Sequence, residues 1–455
     1  MLLSKKNFYP LLMLAIPLAM TGLLQSGVFF FETVFLARLG PEVLAAGSLV
    51  SWLVVTIAVI LFGTLSSINI LVAYKHGARD AEGIAEIVRD GLKLALLLAL
   101  PISILYWNIS PLLLLFGQSP AIVLLAKSYL HAIAFGILPN VITIALLEVI
   151  IGLGHARIVL VASLFSVALT IFFSFSLIFG KFGMPALGIA GAGWGITVSY
   201  WITALFLFWH VLTSNQYKRF FQHLFMSNKV SHVMELLRIG LPMGIMYSVE
   251  VGFFFAITLI IGTFDGQLLA ANQIALQYMG TLMSVIFSIA QAITVRMGHL
   301  LGASDTRAAK HAGIAGMWIS ALLMMITAIC YWLFPTALIS IDFDIHIPGN
   351  AGLIKDATQF LAVAAVFQIV ESVRIALFGA LRGLKETRFP LLVSIISFWG
   401  IALPIGYILA TRWHLGGPGL WWGMVLGASF SIVLLWYRFK FKIRQYGFMQ
   451  PDDDH

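Results

Sequence analysis

The sequence predicts an all-α membrane protein with twelve transmembrane helices in two pseudo-twofold-related six-helix bundles. Hydrophobic residues make up 60% and charged residues 10% of the 455 positions, and the mean hydropathy is +0.99. A soluble domain typically carries about 25% charged residues. Apolar runs long enough to cross a bilayer recur along the chain, and its second half repeats its first. A water-soluble globule is therefore excluded, because the chain has too few polar groups to cover its surface.

Twelve apolar runs lie between charged or Gly/Pro-rich breaks, and each is long enough for a helix that spans a membrane. The first run follows only two lysines and has no small-residue cleavage site, which predicts a retained helix and not a signal peptide. The predicted spans are 8–36, 45–74, 91–116, 122–150, 156–180, 187–213, 236–262, 270–298, 312–340, 357–381, 389–411 and 417–438.

Basic residues in the connections predict the orientation. Of the 27 Lys and Arg residues, 21 fall on the side that holds both termini, five fall on the opposite side, and Arg374 lies inside a span. Basic residues accumulate on the cytoplasmic side of a membrane. We therefore expect both termini in the cytoplasm, an even number of spans and, for a bacterial chain, an inner-membrane location.

A polar stretch near the middle of the chain predicts the domain division. Residues 214–235 have the composition of a cytoplasmic linker between two groups of six spans. We predict an N-terminal bundle over 1–213, this linker over 214–235, a C-terminal bundle over 236–440 and a cytoplasmic tail over 441–455.

The second half of the chain repeats the first in order. A shift of 225 residues aligns the starts of the two halves, and shifts of 231 and 228 align later segments. Six spans precede the repeat, so both copies enter the membrane in the same orientation, and a cleft between them is expected. This architecture favours a carrier that works by alternating access over a channel with a static filter. Matched pairs are Pro17 and Pro242, Gly27 and Gly252, Phe62 and Phe287, and Trp194-Gly195 and Trp422-Gly423.

Four carboxylates lie inside the spans, where charge is costly and usually marks an ion or substrate path. Glu250 and Glu371 lie mid-helix, which favours a functional role. Glu32 lies near the extracellular end of its helix, so a functional role and a simple interfacial position are about equally favoured. Glu148 is close to its helix end, and we expect it to reach the membrane interface.

One basic residue accompanies the mid-helix acids. Arg374 follows Glu371 by three residues, which places both side chains on one helical face. The two residues could form an ion pair, or Arg374 could extend to the cytoplasmic side. The sequence leaves both alternatives open.

Aromatic and methionine side chains near the acids are candidate substrate contacts. Phe29 and Phe253 belong to Phe triplets at nearly equivalent repeat positions. Ring faces attract organic cations, and methionine adapts to many ligand shapes. Ordinary packing is the alternative for each of these residues. The methionine candidates are Met243, Met246, Met279 and Met283.

Several classes of protein are disfavoured by motifs that the sequence lacks. It has no G-x-x-x-x-G-K-[ST] loop for ATP, no H-E-x-x-H or comparable metal cluster, and no basic stripe interleaved with aromatic residues for nucleic acid. A single cysteine, Cys330, excludes an intramolecular disulfide framework. We expect neither an enzyme nor a bound cofactor or resident metal. The expected partners are the lipid bilayer and small solutes.

The motifs together resemble the multidrug and toxic compound extrusion (MATE) family over essentially the whole chain. They comprise two six-helix halves that each open with a proline and an acid-bearing helix, together with Gly77-Ala78-Arg79-Asp80, Arg382-Gly383-Leu384-Lys385-Glu386-Thr387-Arg388 and Gly188-Ile189-Ala190-Gly191-Ala192-Gly193. The resemblance implies a V-shaped monomeric antiporter that expels organic cations in exchange for H⁺ or Na⁺.

The resemblance to the NorM-type branch of this family also implies site residues. Glu250 and Glu371 stand at the positions of a cation site in the second half, and Glu32 stands where the family commonly has Asp. Thr170 and Ser174 match positions where the family site has two asparagines. Thr197 matches a recurrent polar position.

The replacement of two amides by hydroxyls favours H⁺ over Na⁺, because Na⁺ needs several good oxygen ligands. Na⁺ at Glu250 and Glu371 stays open as the alternative. The second functional hypothesis is a flippase for lipids or lipid-linked oligosaccharides of the same superfamily. Its usual basic cavity is not evident, since Arg374 is the internal base that the sequence offers. A membrane enzyme would need a clustered polar active site, which the sequence does not indicate.

Overall fold

The computed structural model describes residues 5–221, 231–342 and 347–448. The regular secondary structure of these residues is helical. Residues 222–230 of the predicted linker and 449–455 of the predicted tail lie outside this part of the chain. We number the helices of the twelve spans α1 to α12 in chain order.

Five of the first six spans begin and end within four residues of the predicted positions, whereas the third begins ten residues and ends eight residues earlier than predicted. Two of the six consist of two helical pieces. A turn at Ser66 interrupts α2, and the two parts of α4 meet at an angle of 50°. The helices are α1 Lys5–Ala37, α2 Pro41–Gly77, α3 Ala81–Asn108, α4 Pro120–Ala134 with Ile137–Gly152, α5 Ala156–Phe179 and α6 Ile189–Thr213.

The second six spans follow the same order. Short helices also occur at Ser110–Leu115, Lys218–Phe221 and Pro335–Asp342. The spans are α7 Val233–Phe264, α8 Gly266–Gly302, α9 Thr306–Leu333, α10 Ala351–Gly383, α11 Arg388–Thr411 and α12 Gly416–Phe448.

The length and composition of these helices confirm a multi-span membrane protein. Ten described helices are long and apolar enough to cross a membrane, and the bent pair in α4 adds an eleventh. Each of the twelve predicted spans overlaps a described helix. The twelve-helix layout is confirmed.

Some helices extend well beyond the apolar runs that predicted them. The 37 residues of α8 reach about 56 Å at 1.5 Å per residue, whereas a hydrocarbon core is about 30 Å thick. Helix α12 continues to Phe448 and not to the predicted 438, so the predicted tail begins as helix. Arg438, the last residue of the predicted span, and Lys442 on this extension form ion pairs with Glu386 at 2.7 and 3.2 Å. These ion pairs explain why a charged segment stays helical.

The chain folds into two compact units whose bounds differ from the predicted domains. One unit is Met20–Gly244, and the other combines Met1–Ala19 with Ile245–His455. The first part of α1 and the first part of α7 each belong to a different unit from the rest of the helix, whereas the functional division at the linker stays a prediction. Both boundaries fall two residues after the matched prolines Pro17 and Pro242, where a ring without an N–H weakens the helix.

A repeated loop motif begins α3 and α9 in the same way. The Asp80 side chain accepts a hydrogen bond from the Gly83 amide, and Asp305 accepts one from Ala308, each at 2.8 Å. Both aspartates are therefore N-caps, which satisfy amides that the first helical turn leaves free. This role accounts for the aspartate shared by Gly77–Asp80 and Gly302–Asp305.

Glycines four residues apart let neighbouring helices approach closely in both units. A Cβ on Gly195 would lie 2.5 Å from the Ser174 backbone, and one on Gly423 would collide with the backbone at Ala402. A Cβ on Gly191 or Gly419 would likewise collide with the backbone of the preceding helix. These two Gly-x-x-x-Gly pairs are repeat equivalents and hold α6 against α5 and α12 against α11.

Gly423→Ala should destabilise the protein by about 1–3 kcal/mol, the usual cost of overpacking. The new methyl group meets backbone atoms, which cannot move aside as a flexible side chain could. Thermal unfolding of the purified protein in detergent measures the effect. Gly280→Ala is the matched control, since a Cβ there meets open space. Equal melting temperatures for both variants would contradict the packing role.

The Glu386 cluster should make stability depend on pH. Burial alone would raise the pKa of Glu386, but hydrogen bonds from Arg438 and Lys442 lower it below its ordinary value of 4.5. A lowered pKa stabilises the fold above the unfolded value, and this stabilisation disappears as pH falls through the folded pKa. The melting temperature of wild type should therefore fall below about pH 4.5, and Glu386→Gln should lessen this fall. If the melting temperature of Glu386→Gln depends on pH in the same way as that of wild type, the stabilising role of the Glu386 ion pairs is contradicted.

Candidate functional site

A guanidinium bridges two carboxylates inside the unit that contains the second half. Arg374 donates to both oxygens of Glu371, from Nε at 2.8 Å and from Nη2 at 2.5 Å. Its Nη1 donates to Glu250 Oε1 at 2.9 Å and to Ser394 Oγ at 3.3 Å. Of the two alternatives for Arg374, the structure has the ion pair. The planar, forked guanidinium suits this bidentate arrangement.

The most buried of the candidate spans positions two members of this cluster. Helix α10 packs against α8, α9 and α12, and 72% of its apolar segment is buried. Glu371 and Arg374 are each 2% exposed, and Glu250 is 6% exposed. Because water cannot solvate these charges, they depend on one another for compensation.

A wide helical turn in α11 completes the cluster. Residues Ile395–Ala402 form a π-helix, which precedes Pro404, a residue with no N–H to give to the normal helical ladder. Ser394 lies just before this turn and donates to Glu250 Oε1 at 2.8 Å. Within the turn, the Phe398 ring lies 4.9 Å below the Arg374 guanidinium, and Trp399 donates to the Val249 carbonyl at 3.2 Å.

The repeat shows that the charged cluster is confined to one half. The repeat offsets match Glu250 to Gln25, Glu371 to Asn140 and Arg374 to Thr143. All three counterparts are neutral. The acid of the first half, Glu32, occupies a different position along its helix.

Glu32 lies in the other unit beside a pocket of about 300 Å³. Its Oε2 accepts a hydrogen bond from the Tyr129 hydroxyl at 3.5 Å, and its buried Oε1 takes none among the described residues. Glu32 as a whole is 7% exposed. The remaining lining residues of the pocket are Thr33, Leu36, Leu44, Gly47, Ser48, Ser51, Trp52 and Val55.

The three hydroxyl residues of the predicted first-half site make separate contacts. Thr170 donates to the Ser166 carbonyl at 2.9 Å, and Thr197 donates to the Ala132 carbonyl at 2.7 Å. Ser174 Oγ is buried and has no hydrogen bond within the described part of the chain. The recorded hydrogen bonds bring none of the three to Glu32, and their grouping stays a prediction.

The proposed aromatic and methionine contacts divide by burial. Phe29 is 48% exposed and Met283 is partly buried, so both have surface available. Phe253 and Met243 have no exposed surface, and Phe253 packs against Phe398 with ring centres 4.9 Å apart. Packing, the alternative weighed for each, accounts for the buried residues. Met246 and Met279 are also buried, at 1% and 5% exposure.

The prediction for Glu148 is wrong. It does not reach an interface: it is 1% exposed and accepts hydrogen bonds from Asn69 and, at 3.2 Å, from Ser66. Ser66 lies at the break in α2, and this turn brings polar groups to an acid near a helix end. In the second half the equivalent contact is neutral, because Thr294 donates to the Gly379 carbonyl at 2.8 Å.

Comparison with known sequences assigns the family. The profile of the MatE family matches residues 17–176 and 242–408. The chain belongs to the MatE family. A MATE relative from Burkholderia vietnamiensis, named multidrug resistance protein NorM, is 35% identical over 430 residues, which cover 94% of this chain and 93% of the relative. A probable NorM from Pseudomonas putida is 33% identical, with 96% and 94% covered.

Solved MATE structures share the fold of this family member. An outward-facing multidrug resistance MATE transporter of the MOP superfamily superposes with a TM-score of 0.86 at 20% identity and 96% coverage of each chain. The eukaryotic MATE transporter AtDTX14 superposes with a TM-score of 0.82 at 19% identity, covering 97% of this chain and 98% of its own. At these identities the likeness concerns the fold.

Sequence reasoning missed three polar partners in this MATE chain: Ser394, Tyr129 and Asn69. Each is a polar residue within an apolar span, which was the available signal. That signal does not say which acid a polar residue meets. The distances between helices supply this information.

Ser394→Ala should destabilise the cluster by about 1.5–3 kcal/mol, the usual contribution of a hydrogen bond to a charged group. The change removes a donor to Glu250 and leaves its carboxylate with less compensation. Thermal unfolding of the purified protein reports the loss. Ser429→Ala is the matched control, because among the described residues that hydroxyl donates to the Val425 carbonyl of its own helix and to no charged group. A smaller effect at Ser394 than at Ser429 would refute the assignment.

Proposed function

We propose that this MATE protein is a secondary multidrug efflux antiporter that exports organic cations by alternating access. The observation that carries the proposal is the buried cluster of Glu250, Glu371 and Arg374 between membrane-spanning helices. A transporter that recognises positive charge needs anionic groups away from water, where each attraction is stronger. The names of the NorM relatives support multidrug export.

The proposed cycle uses competition for the carboxylates. A proton that reaches the cluster from outside neutralises a carboxylate, weakens its hold on a cationic solute and releases the solute. The reset delivers the proton to the cytoplasm. Glu250 is more accessible than Glu371 and is the proposed point of exchange. Glu32, beside its own pocket, is a secondary site.

We place the protein in a bacterial inner membrane as a monomer with both termini in the cytoplasm. The NorM relatives are bacterial, and the 21-to-5 distribution of basic residues supports this orientation. A flippase for lipid-linked pyrophosphates is less well supported, because Arg374 is committed to two carboxylates.

Glu250→Gln and Glu371→Gln should each reduce ethidium efflux from cells towards the level of cells without the transporter. The amide keeps the size of the side chain but removes the negative charge that the solute and the proton share. Initial efflux rates at matched membrane expression measure the effect. Glu42→Gln is the control, since this acid is exposed at the start of α2. Ethidium efflux by Glu250→Gln at the wild-type rate would contradict the proposal.

Proteoliposomes separate the coupling ions. With a pH gradient and no Na⁺ gradient, the wild-type protein should accumulate dye against its concentration gradient. A response to Na⁺ alone would assign the coupling to Na⁺ and would contradict the proposed proton exchange.

A further inference from the structure

Arg374 occupies the space between the two acids that a bound cation would need. Three of its nitrogens donate to carboxylate oxygens, at 2.5 to 2.9 Å. Both oxygens of Glu371 are engaged by this one side chain. A guanidinium keeps its positive charge at any physiological pH. The chain therefore carries its own cation at the centre of the cluster.

The charges of the cluster do not cancel. With both glutamates ionised, Glu250, Glu371 and Arg374 together carry a charge of about −1. Ser394 adds a neutral donor and no charge. One further positive charge would bring the net charge of the cluster to zero. A second one would give the cluster a net positive charge, which is as unfavourable as an unpaired buried cation.

One carboxylate oxygen is available for exchange. The hydrogen bonds of the described residues to Glu250 all end on Oε1. Its Oε2 is therefore the acceptor left for an incoming group. A proton needs one such oxygen. A hard metal cation needs several oxygen ligands, and here the oxygens of Glu371 already face N–H donors of like charge.

We propose that Arg374 is a tethered cation that fixes the charge of the Glu250–Glu371 pair. The cluster then accepts one proton or one singly charged organic cation, and it rejects Na⁺ and doubly charged solutes. This inference rests on the proposed function and adds the charge class of its substrate. It assigns to Arg374 the selection between ions, a role separate from that of the two acids.

Three variants change the charge in a controlled way. Arg374→Gln leaves the two carboxylates with a charge of about −2, whereas Arg374→Lys keeps the wild-type value. The double variant Glu371→Gln with Arg374→Gln restores the charge of wild type without either member of the bidentate pair. It is the matched control for the effect of losing the arginine side chain itself.

Ethidium and propidium test the charge rule, because they share a ring system and carry one and two positive charges. Fluorescence titration of the purified full chain gives the affinity of each dye. Arg374→Gln should raise the propidium-to-ethidium affinity ratio by about tenfold or more, since the added charge meets one more carboxylate. Arg374→Lys and the double variant should keep the ratio of wild type.

Sodium provides a readout that needs no dye. The melting temperature of wild type should be the same in NaCl and in KCl at equal concentration. Arg374→Gln should gain a saturable rise in NaCl over KCl, because a ligand that binds the folded state stabilises it. The double variant should show no such rise.

Each arm can overturn the inference by itself. A saturable Na⁺-specific stabilisation of wild type would refute it even if Arg374→Gln does not fold. An unchanged dye ratio in folded Arg374→Gln, or an equal change in the double variant, would also refute it. If wild type exports ethidium but Arg374→Gln has an unaltered propidium-to-ethidium affinity ratio, the proposed function stands and only this inference is refuted. Wild type that exports no dye removes the proposed function instead.

Discussion

Two carboxylates buried in a membrane helix bundle are tolerated here because one guanidinium lies between them. Breaking such a buried pair typically costs about 3–5 kcal/mol, since the remaining charge has no partner. The bidentate contact joins residues of one helix, Glu371 and Arg374, and the third contact reaches Glu250 on another. The positions of α7 and α10 in this unit are therefore tied to a single electrostatic requirement.

The local irregularity of α11 serves the same requirement. A regular helix ladder would be interrupted at Pro404, and the chain responds with a π-helical turn over Ile395–Ala402. This turn puts the Phe398 ring against the guanidinium and the Trp399 N–H on the backbone beside Glu250. The cluster thus has an apolar cover as well as polar partners, and both come from a helix that contributes no charge to it.

The internal repeat preserves packing and caps but not charge. Equivalent Gly-x-x-x-Gly pairs and equivalent aspartate N-caps recur because each copy must bring its helices together and begin them in the same way. The acids inside the spans do not recur: Glu148 has a glycine counterpart, and Glu250 has a glutamine counterpart. The two halves are therefore similar in their helix packing and different in the charges that they hold inside their spans.

The sequence by itself determined the membrane class and the twelve spans, and it singled out Glu250 and Glu371 as candidate site residues. These follow from hydropathy, from the repeat and from the cost of a charge in hydrocarbon, all of which are local or cumulative properties. Only the tertiary structure decided that Arg374 pairs with both acids, that Ser394 joins them and that Glu148 is buried against Asn69. Apart from the Glu371–Arg374 pair within one helix, these contacts join residues 20 to 144 positions apart. Helical periodicity gives the face of a residue but not the neighbour that this face meets.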